Sequence, residues 1–256
     1  MLTEIRQQHA LELVRAKGSV SVPVLADSLD VSEATVRRDL DVLAGQGLVD
    51  RIRGGACTPR AQIRPEADAH SFRIVAAQSS EEKRRIARVA ASLVSDGDVV
   101  ALDIGTTVFA MCEHLRHLNI TVVTASLAVV RALSDAPTID LVVMGGMLRS
   151  NYESMVGVLT ESCLRQVRAD VAFLGAAGVR ADCSVLDSTP SEVPIKRAML
   201  DISTRSWLLA DHDKFPGSGF LEIAPLTDFT GLVTDQRPGA HQLSLSPDST
   251  LEVLTP

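Results

Sequence analysis

Apolar positions recur along this chain with two different periods, and the change of period divides it. From Thr3 to Lys17, Ile5, Ala10, Leu13, Val14 and Ala16 repeat at helical spacing, and Gly18 is placed to stop that helix. Pro23 to Leu29 predicts a second helix, with proline in its first turn and Val24, Leu25 and Leu29 on its buried side. Asp30 then stands where a turn residue tolerant of left-handed backbone is wanted. The third helix begins at Ser32, whose hydroxyl can accept a backbone N–H as N-cap, while Val31 and Val36 can close a hydrophobic staple across it. Val36, Leu40 and Leu43 share one face; Ala34 and Arg38 point nearly opposite, with Thr35, Arg37 and Asp41 on the flanks. Ser19–Val22 alternates too briefly to be more than an extended connector or mini-strand. In Gly45–Ala56, Val49 and Ile52 flank Arg51, and Arg53 precedes two glycines, which suits a small β-wing.

Thr58 to Ala69 carries two prolines, no apolar period and mixed charge, so residues 58–76 predict a linker, although His70 to Ala77 could equally begin the next domain. From Ser79 the period alternates. Ser79-Ser-Glu-Glu82 has capping-box spacing and leads into a helix over Lys83–Val94. Apolar strands are expected at 99–102, 120–124, 139–144, 171–174, 207–210 and 231–234. Helices are expected from Gly105 through Leu115 and over 127–133, 159–167 and 194–202, with an irregular stretch after Gly146. Continuous aliphatic strands alternating with helices predict a parallel sheet covered on both faces. The fold class is therefore α/β, with a winged helix-turn-helix over 1–57 and an α/β domain over 77–256.

Composition changes this picture little. The 46% hydrophobic content supports sizeable cores, and with one Trp, one Tyr and six Phe a surface for stacking single-stranded bases is not expected. The net charge of −7 is unevenly spread: residues 1–60 carry eight basic and eight acidic side chains, so all the excess negative charge lies in residues 61–256. A DNA contact needs only a local basic face. Cys57, Cys112, Cys163 and Cys183 are scattered, and the six histidines have no ligand spacing, so neither a metal nor a cofactor is implied. No run has membrane-spanning length, and a reducing cytoplasm is expected.

The third helix offers small, hydroxyl and guanidinium groups near its N-terminus, which a major-groove reader requires. Alone, it would equally suit a surface helix with a solvated arginine pair; the neighbouring helix, turn and wing favour DNA. The candidate contacts are Ser32, Ala34, Thr35, Arg37, Arg38, Arg51 and Arg53. In a parallel sheet the ligand sits at the carboxyl ends of the strands. There lie Asp103-Ile-Gly105-Thr106-Thr107, Thr124-Ala-Ser126, Gly145-Gly146 and Asp211-His-Asp-Lys214-Phe215. One such ending is ordinary turn chemistry, whereas four on one edge favour a small polar anion.

The N-terminal segment resembles that of the DeoR family of bacterial transcriptional regulators. The resemblance rests on Arg6, Ala10, Val14, Ser32-Glu-Ala-Thr35-Val36-Arg37-Arg38-Asp39-Leu40 and Arg53-Gly54-Gly55-Ala56, with Ala10 smaller than usual. Lys83, the three Asp103, Thr124 and Gly145 motifs, Glu192 with Lys196, and Asp211-x-x-Lys214-Phe215 resemble the family's effector domain. That resemblance implies a fold similar to ribose-5-phosphate isomerase and a phosphorylated sugar as ligand. It implies that Gly105, Thr106 and Thr107 hold the phosphate, that Lys83 and Lys214 supply positive charge, and that Asp211 accepts sugar hydroxyls. Ala125 replaces the usual Asn, and the Cys183 loop departs from the family pattern. The isomerases' paired acids have no counterpart in Asp170-Val-Ala-Phe173, the region that looks equivalent. Glu192 and Lys196, at i,i+4, read either as a relic base and acid or, in preference, as a surface ion pair. The expected protein is a sequence-specific regulator, a repressor of a carbohydrate operon. Its expected partners are double-stranded operator DNA, a phosphorylated sugar, and further copies in a homodimer or homotetramer. The alternative is an isomerase-like enzyme with an appended DNA-binding domain.

Overall fold

The computed structural model describes residues 3–17, 19–29, 31–45, 48–52, 54–57, 72–77, 80–239, 242–244 and 249–256. The expectations for Gly18, Asp30, Arg53, His70, Ser79 and His241 lie outside the described residues. The chain divides into two compact units, Met1–Ala67 and Asp68–Pro256.

The first unit runs α1 (Thr3–Lys17), β1 (Ser19–Ser21), α2 (Val22–Leu29), α3 (Glu33–Gly45), β2 (Asp50–Ile52) and β3 (Gly55–Cys57). Ala10 and Val14 of α1, Leu25 and Leu29 of α2, and Val36, Leu40 and Leu43 of α3 form its core, closed by Val49 and Ala56. Ser32 caps α3 as its position suggests, accepting the Thr35 amide at 3.3 Å, and Val31 packs against the same core as Val36. The strands form an antiparallel sheet in the order β1-β3-β2. Gly55 is required there: a Cβ would lie 2.3 Å from the Val20 carbonyl oxygen. Of the connector or mini-strand expected at residues 19–22, Ser19–Ser21 forms a strand of the wing and Val22 opens α2.

The second unit opens with α4 (Phe72–Ala77), so the end of the stretch read as linker is helical. It continues α5 (Ser80–Ala91), β4 (Val99–Leu102), α6 (Thr106–Phe109), α7 (Cys112–Leu115), β5 (Ile120–Thr124), α8 (Leu127–Leu133) and β6 (Ile139–Val143). The single helix expected through Leu115 is two short ones. Next come β7 (Met147–Arg149), β8 (Ser154–Val156), α9 (Val158–Leu164), β9 (Ala169–Leu174), β10 (Gly178–Val179) and β11 (Ser184–Asp187). The chain ends with α10 (Val193–Ile202), β12 (Ser203–Leu209), β13 (Leu221–Pro225), β14 (Gly231–Val233) and β15 (Glu252–Leu254). The stretch expected to be irregular after Gly146 holds the antiparallel hairpin β7–β8.

Seven strands form one parallel sheet in the order β15-β14-β12-β9-β4-β5-β6. Their side chains alternate between two cores. Val100, Leu102, Val171, Phe173, Trp207 and Leu209 meet α5 and the short helices on one face. Ala101, Ala172, Leu174 and Leu208 meet α9 and α10 on the other. Burial on both faces explains the unbroken aliphatic strands. A small antiparallel sheet, β10-β11-β13, lies beside the second core.

Candidate nucleic-acid interface and ligand cavity

On α3 the apolar face is consumed by the core, which leaves Ser32, Glu33, Ala34, Arg37 and Arg38 exposed and Thr35 half-buried. Arg37 pairs with Glu33 at 2.6 Å along the helix, and Arg38 has no hydrogen-bond or ion-pair partner among the described residues. Arg51 of the wing is held by Asp41 at 3.1 Å and by the Gly55 carbonyl at 3.3 Å, which ties β2 to the outer flank of α3. Arg6 and Asp39, quoted above only as parts of a motif, have a different task. Asp39 is buried, and it accepts from Arg6 at 2.6 and 3.2 Å and from Gln7 at 3.1 Å, joining α1 to α3. Burial alone would push its carboxyl up, but the Arg6 and Gln7 hydrogen bonds hold it below the usual range. The motif's acid orients the helix whose arginines face outward.

In the second unit a cavity of about 480 Å³ opens at the carboxyl ends of β4, β9 and β12. Its lining includes Lys83, Gly105, Thr106, Thr107 and Lys214 from the sequence-based set, together with Tyr152, Asp187, Ser188, Thr189, Glu192 and Lys196. Lys83 is buried, donates to the Val75 carbonyl at 2.6 Å, and lies within electrostatic reach of Asp211 and Lys214. Burial lowers the Lys83 ammonium pKa, with Asp211 opposing and Lys214 adding. Burial likewise raises the Asp211 carboxyl against the pull of Lys214 and Lys83, and Asp211 Oδ1 has no hydrogen-bond partner among the described residues. This end of the cavity has positive charge from Lys83 and Lys214, with Asp211 buried beside them outside the lining.

The opposite end is internally committed. Asp103 accepts from the Gly175 amide at 2.9 Å and from Lys196. Lys196 also donates to the Gly175 carbonyl at 3.0 Å and lies 3.6 Å from Asp187. Burial would pull this ammonium down, but Asp103 and Asp187 more than offset it and hold it above its ordinary value. Glu192 pairs with Arg149 of β7, whose guanidinium also stands 5.6 Å from the centre of the Tyr152 ring. The preferred reading of Glu192 and Lys196 as a surface ion pair is therefore wrong. Both are buried, and each finds its partner on another element. Arg149, Asp187 and Thr189 were missed because no local spacing links them to the cavity.

Six expected ligand residues do not line the cavity: Asp103 and Asp211, whose contacts are given above, and Thr124, Ser126, Gly145 and Gly146. Thr124 Oγ1 donates to the Leu102 carbonyl at 2.8 Å and accepts the Ser126 amide at 3.0 Å. Ser126 caps α8 by accepting the Val129 amide at 3.3 Å. The Gly145 carbonyl accepts from Thr160 at 2.8 Å, and a Cβ on Gly146 would lie 2.0 Å from Thr160 Oγ1. These groups fasten loops to the sheet. The supposed isomerase-like acid also moves: Asp170 sits near the amino end of β9, where it accepts the Val99 amide at 2.8 Å. What β9 delivers to the cavity is Gly175, Ala176 and Ala177, none of them an acid. His212 hydrogen-bonds Asp235 at 2.8 Å and is not in the lining; that contact raises its pKa. Cys183 is buried in a turn at φ 69° between β10 and β11.

A winged helix-turn-helix unit carrying outward arginines, in one chain with a parallel α/β unit that holds a polar cavity, defines a DNA-binding regulator with a ligand-sensing domain. The chain belongs to the DeoR family. The DeoR-like helix-turn-helix domain matches residues 6–62, and the DeoR C terminal sensor domain matches residues 78–236. The chain is 34% identical over 251 residues to the glycerol-3-phosphate regulon repressor of Escherichia coli, covering 98% of this chain and 94% of that one. It is 31% identical over 254 residues to the HTH-type transcriptional repressor GlcR of Bacillus subtilis, covering 99% and 96%. Among solved structures, ribose 5-phosphate isomerase A of Methanocaldococcus jannaschii matches 53% of this chain and 54% of that one, at 20% identity and a TM-score of 0.40. The protein is a DNA-binding transcriptional regulator. Among the described residues, no helix is long and apolar enough to cross a membrane.

Proposed function

We propose that this regulator represses a carbohydrate operon and that a phosphorylated sugar in the sensor cavity lowers its affinity for operator DNA. The observation that carries the reading is the polarity of the cavity. Lys83 and Lys214 stand with the Thr106 and Thr107 hydroxyls, while Ser188 and Thr189 offer hydroxyls to a sugar. An anion beside Lys83 would oppose the burial that now disfavours its charge. Asp211, buried behind the lining, lies within electrostatic reach of the two lysines. The repressor names of the relatives, one of them for glycerol-3-phosphate, support the same reading. Asp103, Asp187 and Glu192 are engaged by Lys196 and Arg149, which leaves none of these acids free as a base and favours a binding domain over an enzyme. In this scheme Ser32, Ala34, Thr35, Arg37 and Arg38 read the groove, and Arg51 steadies the wing on the phosphates. Release follows from the ligand's differential affinity for the two states of the protein.

The test is fluorescence anisotropy of a labelled operator, titrated with sugar phosphates and their unphosphorylated sugars at fixed salt. A phosphate ester should release the DNA where its parent sugar does not. Lys214→Ala should bind the operator normally yet need at least tenfold more ligand. Release by the parent sugars alone, or a normal response from Lys214→Ala, would overturn the assignment.

A further inference from the structure

The first helix of the sensor unit is held in part by a residue of the ligand cavity. α4 has six residues, too few for a helix to be stable by itself, so its position depends on what grips it. Its start is fastened to the fold. The Phe72 amide donates to the Asn151 carbonyl at 3.0 Å, and the buried Phe72 ring meets Phe109 and Tyr152 edge-on, with centres 5.4 and 5.7 Å apart. Its last turn is fastened from the cavity. Carbonyls at the end of a helix lack an intrahelical donor, and Lys83 donates to that of Val75 at 2.6 Å. Val75 itself lines the ligand cavity beside Lys83 and Thr106. On the other flank, Ala76 borders two surface clefts of about 600 and 390 Å³, and the smaller one is again lined by Lys83 and Thr106. α4 thus separates the cavity from open space among the described residues, with Lys83 at the partition.

We propose that Lys83 couples the cavity to α4: an anion in the cavity and the Val75 carbonyl share its ammonium, so that ligand binding fastens α4. This rests on the reading of the cavity as an anion site. An ammonium has three donors, so serving the anion does not require it to release Val75. Burial now works against the charge of Lys83, with Asp211 opposing and Lys214 adding to the effect. An anion beside Lys83 favours the charged form, and a charged donor makes the stronger hydrogen bond to a carbonyl. The consequence reaches beyond the cavity. The DNA-binding unit ends at Ala67 and α4 begins at Phe72, so the firmness with which α4 is held acts on the chain where it leaves that unit.

The experiment is hydrogen exchange of the full chain read by mass spectrometry, with and without inorganic phosphate at matched ionic strength. The width of the phosphorus NMR line reports binding separately. In the wild type, phosphate should slow exchange across α4 at least fivefold and leave α9, packed on the other face of the sheet, unchanged. Lys83→Met keeps the length of the side chain and removes its donors. It should exchange faster than the wild type at α4 even without phosphate, with α9 unaltered as the sign of an intact fold, and phosphate should no longer slow it. Phosphate that binds without slowing α4 overturns the coupling and leaves the anion cavity standing, whereas phosphate that does not bind overturns both. Slowing that persists in Lys83→Met overturns the role of Lys83.

Discussion

Two helices of this protein carry an acid and a base at the same i,i+4 spacing, and the two regions use them in opposite ways. On α3, Glu33 and Arg37 pair with each other at 2.6 Å with both side chains about half exposed. On α10, Glu192 and Lys196 have turned to different partners, Arg149 of β7 and Asp103 at the end of β4, and all four are buried. Spacing along a helix sets which side chains can meet; burial sets whether they must find something better. A surface pair is interchangeable with water. A buried ion with its partner removed has none, so the cavity's charges are bound to the fold in a way the recognition helix's charges are not.

Removing one partner from each region should expose that contrast. Lys196→Met strips Asp103 and Asp187 of their cation and should cost about 3–5 kcal/mol in urea unfolding of the sensor unit. A loss under about 1 kcal/mol would mean that the buried network relaxes into water. Arg38→Ala should leave stability unchanged and weaken operator binding by about 1–3 kcal/mol, with the ligand response intact. Unchanged anisotropy would remove Arg38 from the interface. His212 with Asp235 is intermediate, since the acid is buried and the imidazole partly exposed. The Asp235 hydrogen bond raises the His212 pKa, so its contribution is fully present below about pH 6.5 and is lost as pH rises through the raised value. Screening keeps it modest. His212→Gln should flatten the slope of the urea midpoint between neutral and mildly acid pH, and an unaltered slope would count against the pair. Arg37→Ala should be the smallest, a few tenths of a kcal/mol, and a larger loss would show that the surface pair is not interchangeable with water.

The same contrast explains what could be read without coordinates. The recognition helix was legible because its cap, staple and apolar stripe are all local: Ser32, Val31 and Val36 lie within five residues, and so do the outward-facing arginines. Six of the seven strands of the parallel sheet were legible from their aliphatic runs, and β15 was not. Strands β7, β8, β10, β11 and β13 were not legible either, being two to five residues long without an unbroken aliphatic run. Thr124, Ser126 and Gly146 were placed near the right edge of the sheet, but a hydroxyl or glycine there serves a loop as readily as a ligand. Only the contacts to Leu102, Val129 and Thr160 distinguish the two.

By itself, then, the amino-acid order determined two units, their classes, the exposed face of α3 and the edge of the sheet where the cavity opens, because the periodicity of burial is written locally along the chain. Tertiary structure decided who partners whom inside the cavity. Asp103 and Lys196 are 93 residues apart in sequence, and Arg149 and Glu192 lie on separate elements. A buried charge must be satisfied by whatever folding brings beside it, and that neighbour has no fixed distance along the chain.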